Sequence, residues 1–123
     1  AIRVPNHVFQ PGARVYPGHT GSPLDLPAKT LKAGGHGVPG GENMLVKDDG
    51  SVRYFTVRES ARIQTFPDGF HFHGSWSETM RQLGNAVPVV LAQRVASSVA
   101  EQLALAELKR VASLVPNVKR KSA

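Results

Sequence analysis

Cysteine is absent from this sequence. Disulfides are therefore excluded as a source of stability, and the composition is compatible with a reducing cytoplasm. Nor is there a run near 18 consecutive apolar residues, so no segment reads as a membrane span. The opening Ala-Ile-Arg-Val-Pro has neither a methionine nor an apolar stretch of the secretory type, as expected of a trimmed chain or a piece of a longer polypeptide. Apolar periodicity is scarce before residue 42, where most of the 12 glycines and 9 prolines lie. That third of the chain has little with which to build a core.

With 123 residues, the chain forms one domain at most, or part of one. A net charge of +6 favours a polyanionic partner, because phosphate contacts release counterions. Lys119, Arg120 and Lys121 supply half of that excess, so a solvated basic tail accounts for much of it.

Residues 1 to 25 read as a surface loop with short extended pieces at His7-Val8-Phe9 and Arg14-Val15-Tyr16. His7 and His19 there read as surface polar residues, with DNA contacts as the minority alternative. Short strands are expected at Pro27–Leu31, Asn43–Val46 and Ser51–Phe55, with Lys47-Asp48-Asp49-Gly50 as the hairpin between the last two. Between the first and second lies the glycine-rich run Lys32 to Gly41. It lacks the Gly-Lys-Ser/Thr ending of a P-loop, so nucleotide hydrolysis is rejected. A linker and a loop able to approach a DNA groove remain as readings, the latter placing Lys29, Lys32 and His36 near phosphates.

Thr56 and Glu59 form a capping box that opens a helix, which Phe66-Pro67-Asp68-Gly69 stops. Ser75 and Glu78 open a second helix carrying Trp76, Met80 and Leu83, ended by Gly84-Asn85, two residues tolerant of left-handed angles. Pro88 suits the first turn of a third helix over residues 87–110. Val87, Leu91, Val95, Val99, Leu103 and Ala106 make one apolar stripe along it. Such a face needs a partner surface, and self-association through residues 87–110 is one candidate. His71 and His73 lack a third ligand and no metal site is expected.

The run VRESARIQTFPDGF followed by RQLGNAVP resembles the last two sequence motifs of the DNA (cytosine-5)-methyltransferases. Arg58, Glu59, Ala61, Arg62, Gln64, Phe66, Pro67 and Asp68 match the first block; Gln82, Gly84, Asn85 and Val87 match the second. The resemblance implies the C-terminal part of such an enzyme. Residues 1–74 would be its target-recognition region, 75–114 the helices returning to the catalytic domain, and 115–123 a disordered basic tail. The implied fold is an α+β fragment, an irregular β/loop region followed by three helices. It would be completed by a missing N-terminal catalytic part into the S-adenosylmethionine-dependent methyltransferase α/β fold.

The resemblance also assigns roles. Asn85 and Val87, with Gly84 and Ala86 beside them, would close the S-adenosyl-L-methionine pocket. Lys29, Thr30, Lys32, Gly34, Gly35, His36 and Arg58 would contact double-stranded DNA. Arg58, Glu59 and Arg62 are also expected as buried ion-pair scaffolding. Cytosine C5 methylation needs a thiolate nucleophile, and this sequence has none. The family's cofactor loop, Pro-Cys loop, Glu-Asn-Val block and Gln-x-Arg-x-Arg block are missing too. The chain is therefore expected to be inactive alone and to need the catalytic part, on DNA in a bacterial cytoplasm. A non-enzymatic DNA-binding module and a self-associating helical fragment are the alternatives.

Overall fold

A computed structural model describes residues 4–33 and 41–114. The expected basic tail at 115–123 lies outside the described residues. The chain divides into residues 1–89 and residues 90–123. The described part of the second is one long helix.

The sheet is small. Strand β1 (Ser22–Pro23) runs parallel to β2 (Met44–Val46), which pairs antiparallel with β3 (Val52–Tyr54). The expected hairpin is present: the Gly50 N–H donates to the Lys47 carbonyl at 2.9 Å, and the Lys47 N–H to the Ser51 carbonyl at 2.8 Å. Only Gly50 in this turn takes a positive φ, +78°, so its glycine is required by backbone geometry. Asp49 accepts from the Ser51 N–H at 2.9 Å and stiffens the loop. The strand expected at Pro27–Leu31 does not form. Its place beside β2 is taken by Ser22–Pro23, and the Ser22 hydroxyl accepts the Lys29 N–H at 3.0 Å.

Helix α1 (Val57–Ile63) opens on the full capping box, with Thr56 accepting from the Glu59 N–H and Glu59 from the Thr56 N–H. Two residues, Gln64 and Thr65, separate its end from the Phe-Pro-Asp-Gly turn. The Phe66 N–H donates to Ala61 and the Thr65 N–H to Arg62, and Thr65 sits at φ +58°. This is the hydrogen-bond pattern of a glycine-type stop carried by a threonine. Helix α2 (Trp76–Asn85) opens on Ser75, which accepts from the Glu78 N–H. The reciprocal half of that box is replaced, because Glu78 pairs with Arg81 at 2.6 Å.

The core forms where α1 meets α2. Val57, Ala61, Met80 and Leu83 are buried together, with Phe66, Phe72 and Trp76 packed around them. The Trp76 indole N–H donates to the Phe55 carbonyl at 3.1 Å, and its ring lies 4.8 Å from that of Tyr54. Burying an aromatic with its polar tip satisfied is the favourable case. Helix α2 thus completes the core begun by α1.

Ser60 in α1 is fully buried, and among the described residues its hydroxyl has no partner. A buried hydroxyl without a hydrogen bond is destabilising, and alanine is the better helix former. Ser60→Ala is expected to raise stability by about 1 kcal/mol, seen as a higher urea midpoint at unchanged slope. A loss of stability would show that the hydroxyl is bonded after all.

Helix α3 (Val89–Leu114) spans 26 residues, none of them buried. The single apolar stripe expected from the sequence is too narrow a description. Val90, Leu108 and Val111 lie off that stripe and are also exposed. Apolar residues all round a helix call for cover on more than one side.

Candidate functional site

The region around the two motif blocks is built by three polar side chains. The first is Arg58, with no exposed surface. Its Nε donates to the Pro5 carbonyl at 3.0 Å, and its two terminal nitrogens donate to Pro67 at 3.2 Å and Phe70 at 2.5 Å. The planar fork thereby ties the N-terminal segment, α1 and the Phe-Pro-Asp-Gly-Phe turn into one body. Asn6 reinforces it through a reciprocal pair with the Phe72 backbone at 2.9 and 3.0 Å. Phe66, Phe70 and Phe72 cluster above the turn, with ring centroids 4.8–5.4 Å apart.

This corrects two expectations for Arg58. Its guanidinium faces carbonyl oxygens inside the protein, so it is not presented to a phosphate, and among the described residues it joins no ion pair. The scaffolding ion pair is made by Glu59 with Arg53, which the motif does not name, through two contacts of 2.7 Å. Burial pushes the Glu59 carboxyl up, but the Arg53 guanidinium and the Thr56 N–H outweigh it and hold it below the ordinary range. Arg62 pairs with Asp68 at 2.7 Å on the surface, where both are more than half exposed, so that pair adds little.

Gln64 is the second organising side chain. Its amide nitrogen donates to the Leu83 carbonyl at 2.7 Å and the Ala86 carbonyl at 3.2 Å, while its backbone carbonyl accepts the Val89 N–H at 3.0 Å. One residue of the first block thus brackets residues 83–89 of the second. Within that bracket Asn85 and Val87 are exposed, while Gly84 and Ala86 are half-buried. Helix α2 ends at Asn85, as expected, but neither Gly84 nor Asn85 takes a left-handed angle. Both residues belong to the last turn of α2, and the corner is Ala86–Pro88, with Ala86 extended at φ −75°, ψ 144°.

Gly84 is needed for a different reason, close approach. A Cβ at Gly84 would lie 2.5 Å from the Ala33 nitrogen and 2.6 Å from the Lys32 carbonyl carbon. The base of the glycine-rich loop therefore rests directly on the last turn of α2.

Glu42 is the third. It sits after the glycine-rich run, accepts from Lys32 Nζ at 3.0 Å, and lies 3.1 Å from His19 Nδ1. The Asn43 amide donates to the Lys32 carbonyl at 3.4 Å. Both flanks of the loop are thus joined at Lys32 and Glu42. Of the residues expected to touch DNA, Lys32 is in this clamp, Lys29 reaches the Thr20 hydroxyl at 3.1 Å, and Thr30 is exposed. Gly34, Gly35 and His36 lie outside the described residues. Among the described residues no three potential ligands gather into a metal site. No described helix is long and apolar enough to cross a membrane.

Burial raises the Glu42 carboxyl, but the Lys32 and His19 contacts and backbone donation bring it from 4.5 down to about 2. A carboxylate with a depressed folded pKa stabilises the fold above its unfolded value. That contribution is lost as pH falls from 4.5 through about 2. Glu42→Gln should cost about 1–2 kcal/mol at pH 7, limited by the exposure of Lys32. It should also remove part of the stability loss between those two pH values. Urea melts across that range provide the check, and identical pH profiles would count against the clamp.

An open cleft of about 340 Å³ lies between the sheet and α1, walled by Leu24, Leu26, Leu45, Phe55 and Ile63 beside the Arg53–Glu59 pair. Neither motif block signals it.

Residues 19–101 match the family model described as C-5 cytosine-specific DNA methylase. The match covers more than half of the chain, and the chain belongs to that family. Type II methyltransferase M.AplI of Arthrospira platensis is 44% identical over 77 residues, 62% of this chain and 22% of that protein. Type II methyltransferase M.HgiDI of Herpetosiphon aurantiacus is 36% identical over 97 residues, 76% of this chain and 31% of that protein. DNA (cytosine-5-)-methyltransferase M.ApeKI of Aeropyrum pernix is 52% identical over 48 residues, 39% of this chain and 10% of that protein. The chain thus spans less than a third of the length of each of these relatives.

Proposed function

We propose that this chain is the C-terminal part of a DNA (cytosine-5-)-methyltransferase, supplying target recognition and one wall of the S-adenosyl-L-methionine pocket. The observation that carries the reading is the Gln64 bracket. It fixes the backbone of residues 83–89 while leaving Asn85 and Val87 turned out to solvent. An exposed amide and an exposed apolar side chain on a held corner suit a ligand with a polar amino-acid end and an apolar body. Asn85 and Val87 would hold the cofactor, with Gly84 and Ala86 setting their backbone. When bound, that cofactor supplies the methyl group transferred to C5 of cytosine.

The chain's own residues bind and position, and the nucleophile must come from the catalytic part. Lys29, Thr30 and Lys32, with Gly34, Gly35 and His36 following, would face the DNA from the loop whose base rests on Gly84. The exposed faces of α3 would be covered by the catalytic part. A bacterial cytoplasmic setting, in restriction–modification, goes with this reading, which keeps residues 1–74 as the recognition region and 75–114 as the return to the catalytic domain.

Complementation is the test. Co-expressed with the N-terminal part of a relative such as M.HgiDI, the chain should restore cytosine methylation scored by bisulfite sequencing; alone it should give none. Asn85→Ala in the complemented enzyme should raise the cofactor KM about five- to tenfold, the loss of roughly one hydrogen bond, with the DNA KM unchanged. Methylation by the isolated chain would sink the proposal. The exposed apolar residues of α3 also favour a second reading, self-association, for which sedimentation would show a dimer that the catalytic part does not dissociate.

A further inference from the structure

A row of basic side chains begins before the first residue that the family model matches, residue 19. Tyr16 and His19 pair across a tight turn, exchanging backbone hydrogen bonds of 3.1 and 2.9 Å. Paired residues of an antiparallel bridge project to the same side. Arg14, two residues before Tyr16, shares that side: its guanidinium carbon lies 4.9 Å from the Tyr16 ring centroid, and its Nε bonds the Tyr16 hydroxyl. From His19 the row continues through Glu42 to Lys32.

The charges are arranged outward. The Glu42 side chain is only 13% exposed, whereas those of His19 and Lys32 are 43% and 61% exposed. Arg14 is exposed as well and, among the described residues, meets an aromatic ring and no carboxylate. A guanidinium held through Nε on a ring hydroxyl keeps its terminal N–H groups for an incoming anion and loses less freedom on binding it. Lys32 at the far end leads into the glycine-rich run.

We propose that Arg14, seated on Tyr16, grips the phosphodiester backbone of duplex DNA, in one row with His19 and Lys32. This rests on the reading of the chain as the recognition part of a methyltransferase and adds a contact that neither motif block supplies. Arg14 is the phosphate ligand; Tyr16 is a positioning residue that acts through it.

Fluorescence anisotropy of the 123-residue chain with a labelled duplex, between 50 and 200 mM salt, tests this. Arg14→Ala should weaken binding about tenfold at the lower salt and reduce the salt slope by about one. Tyr16→Ala should show a smaller loss in the same direction, and Tyr16→Phe, which keeps the ring, should stay within about twofold of the parent. Circular dichroism confirms that each exposed-site variant folds. Unchanged affinity and slope in Arg14→Ala, or no DNA binding by the parent chain, would overturn the inference. The complementation assay separates this result from the parent reading. Restored methylation with a silent Arg14→Ala removes the row alone. Arg14-dependent binding without restored methylation removes the methyltransferase role and leaves the row standing.

Discussion

Replacing Arg58 by methionine is expected to remove about half of the stability of residues 1–89. The substitution keeps much of the aliphatic stem but removes every donor to the carbonyls of Pro5, Pro67 and Phe70. Three carbonyls facing a buried side chain from a partly buried setting would then lack this partner, each worth up to about 1–3 kcal/mol when unsatisfied. Allowing for partial hydration, the loss should be about 3–5 kcal/mol. A small domain has only about 5–10 kcal/mol in total, so the midpoint of a thermal melt should fall by well over about 10 °C. Arg58→Lys should be intermediate, because an ammonium can reach one or two carbonyls but cannot span the fork. An Arg58→Met chain that melts with the parent midpoint would show that these carbonyls find other donors.

The same geometry gives the first motif block a positioning role. Arg58 fixes the turn at Pro67–Phe70, and Gln64 fixes the corner at 83–89. Both act through backbone carbonyls, whose positions follow from the fold, whatever side chains they carry. The exposed side chains of this region lie on the second block, at Asn85 and Val87, and on the loop stem, at Lys29, Thr30 and Lys32.

Much of the local structure was legible in the sequence. The Thr56 capping box, the turn at Asp49-Gly50 and the existence of three helices follow from side-chain chemistry within four residues, and each is present. The family, too, is legible, because two dense motif blocks in fixed order carry it. What stayed hidden is long-range. Arg58 bonds a carbonyl 53 residues away, and Gln64 bonds carbonyls 19 and 22 residues away. Backbone acceptors leave no mark in the sequence. Strand β1 is two residues long and contains a proline, so neither length nor propensity signals it. The Arg53–Glu59 pair could have been found, since a buried-side glutamate in a capping box faces the strand that precedes it. The i, i+4 stripe does not capture the apolar breadth of α3, because Val90, Leu108 and Val111 lie on other faces of the helix.

Gly84→Ala should destabilise the chain although it replaces the poorest helix former but proline with the best. Helix propensity alone would favour alanine by about 1 kcal/mol. Against that, the new methyl carbon would sit 2.5 Å from the Ala33 nitrogen, 2.6 Å from the Lys32 carbonyl carbon and 3.0 Å from the Ala33 Cα. All three are backbone atoms, so no rotamer change relieves the clash, and overpacking of this kind costs about 1–3 kcal/mol or more. Relief requires residues 32 and 33 to move off α2. Lys32 is not free to do so at no cost, since its carbonyl holds the Asn43 amide and its ammonium holds Glu42. The strain should therefore pass into the loop stem rather than the helix. Native-state hydrogen exchange should speed up at Ala33 and Asn43, while amides in the middle of α2 keep their relative protection. The urea midpoint should fall by the equivalent of about 1–2 kcal/mol. A Gly84→Ala chain that gains stability, as propensity alone dictates, would mean that the loop stem does not rest on α2 and that the two parts of the site are built independently.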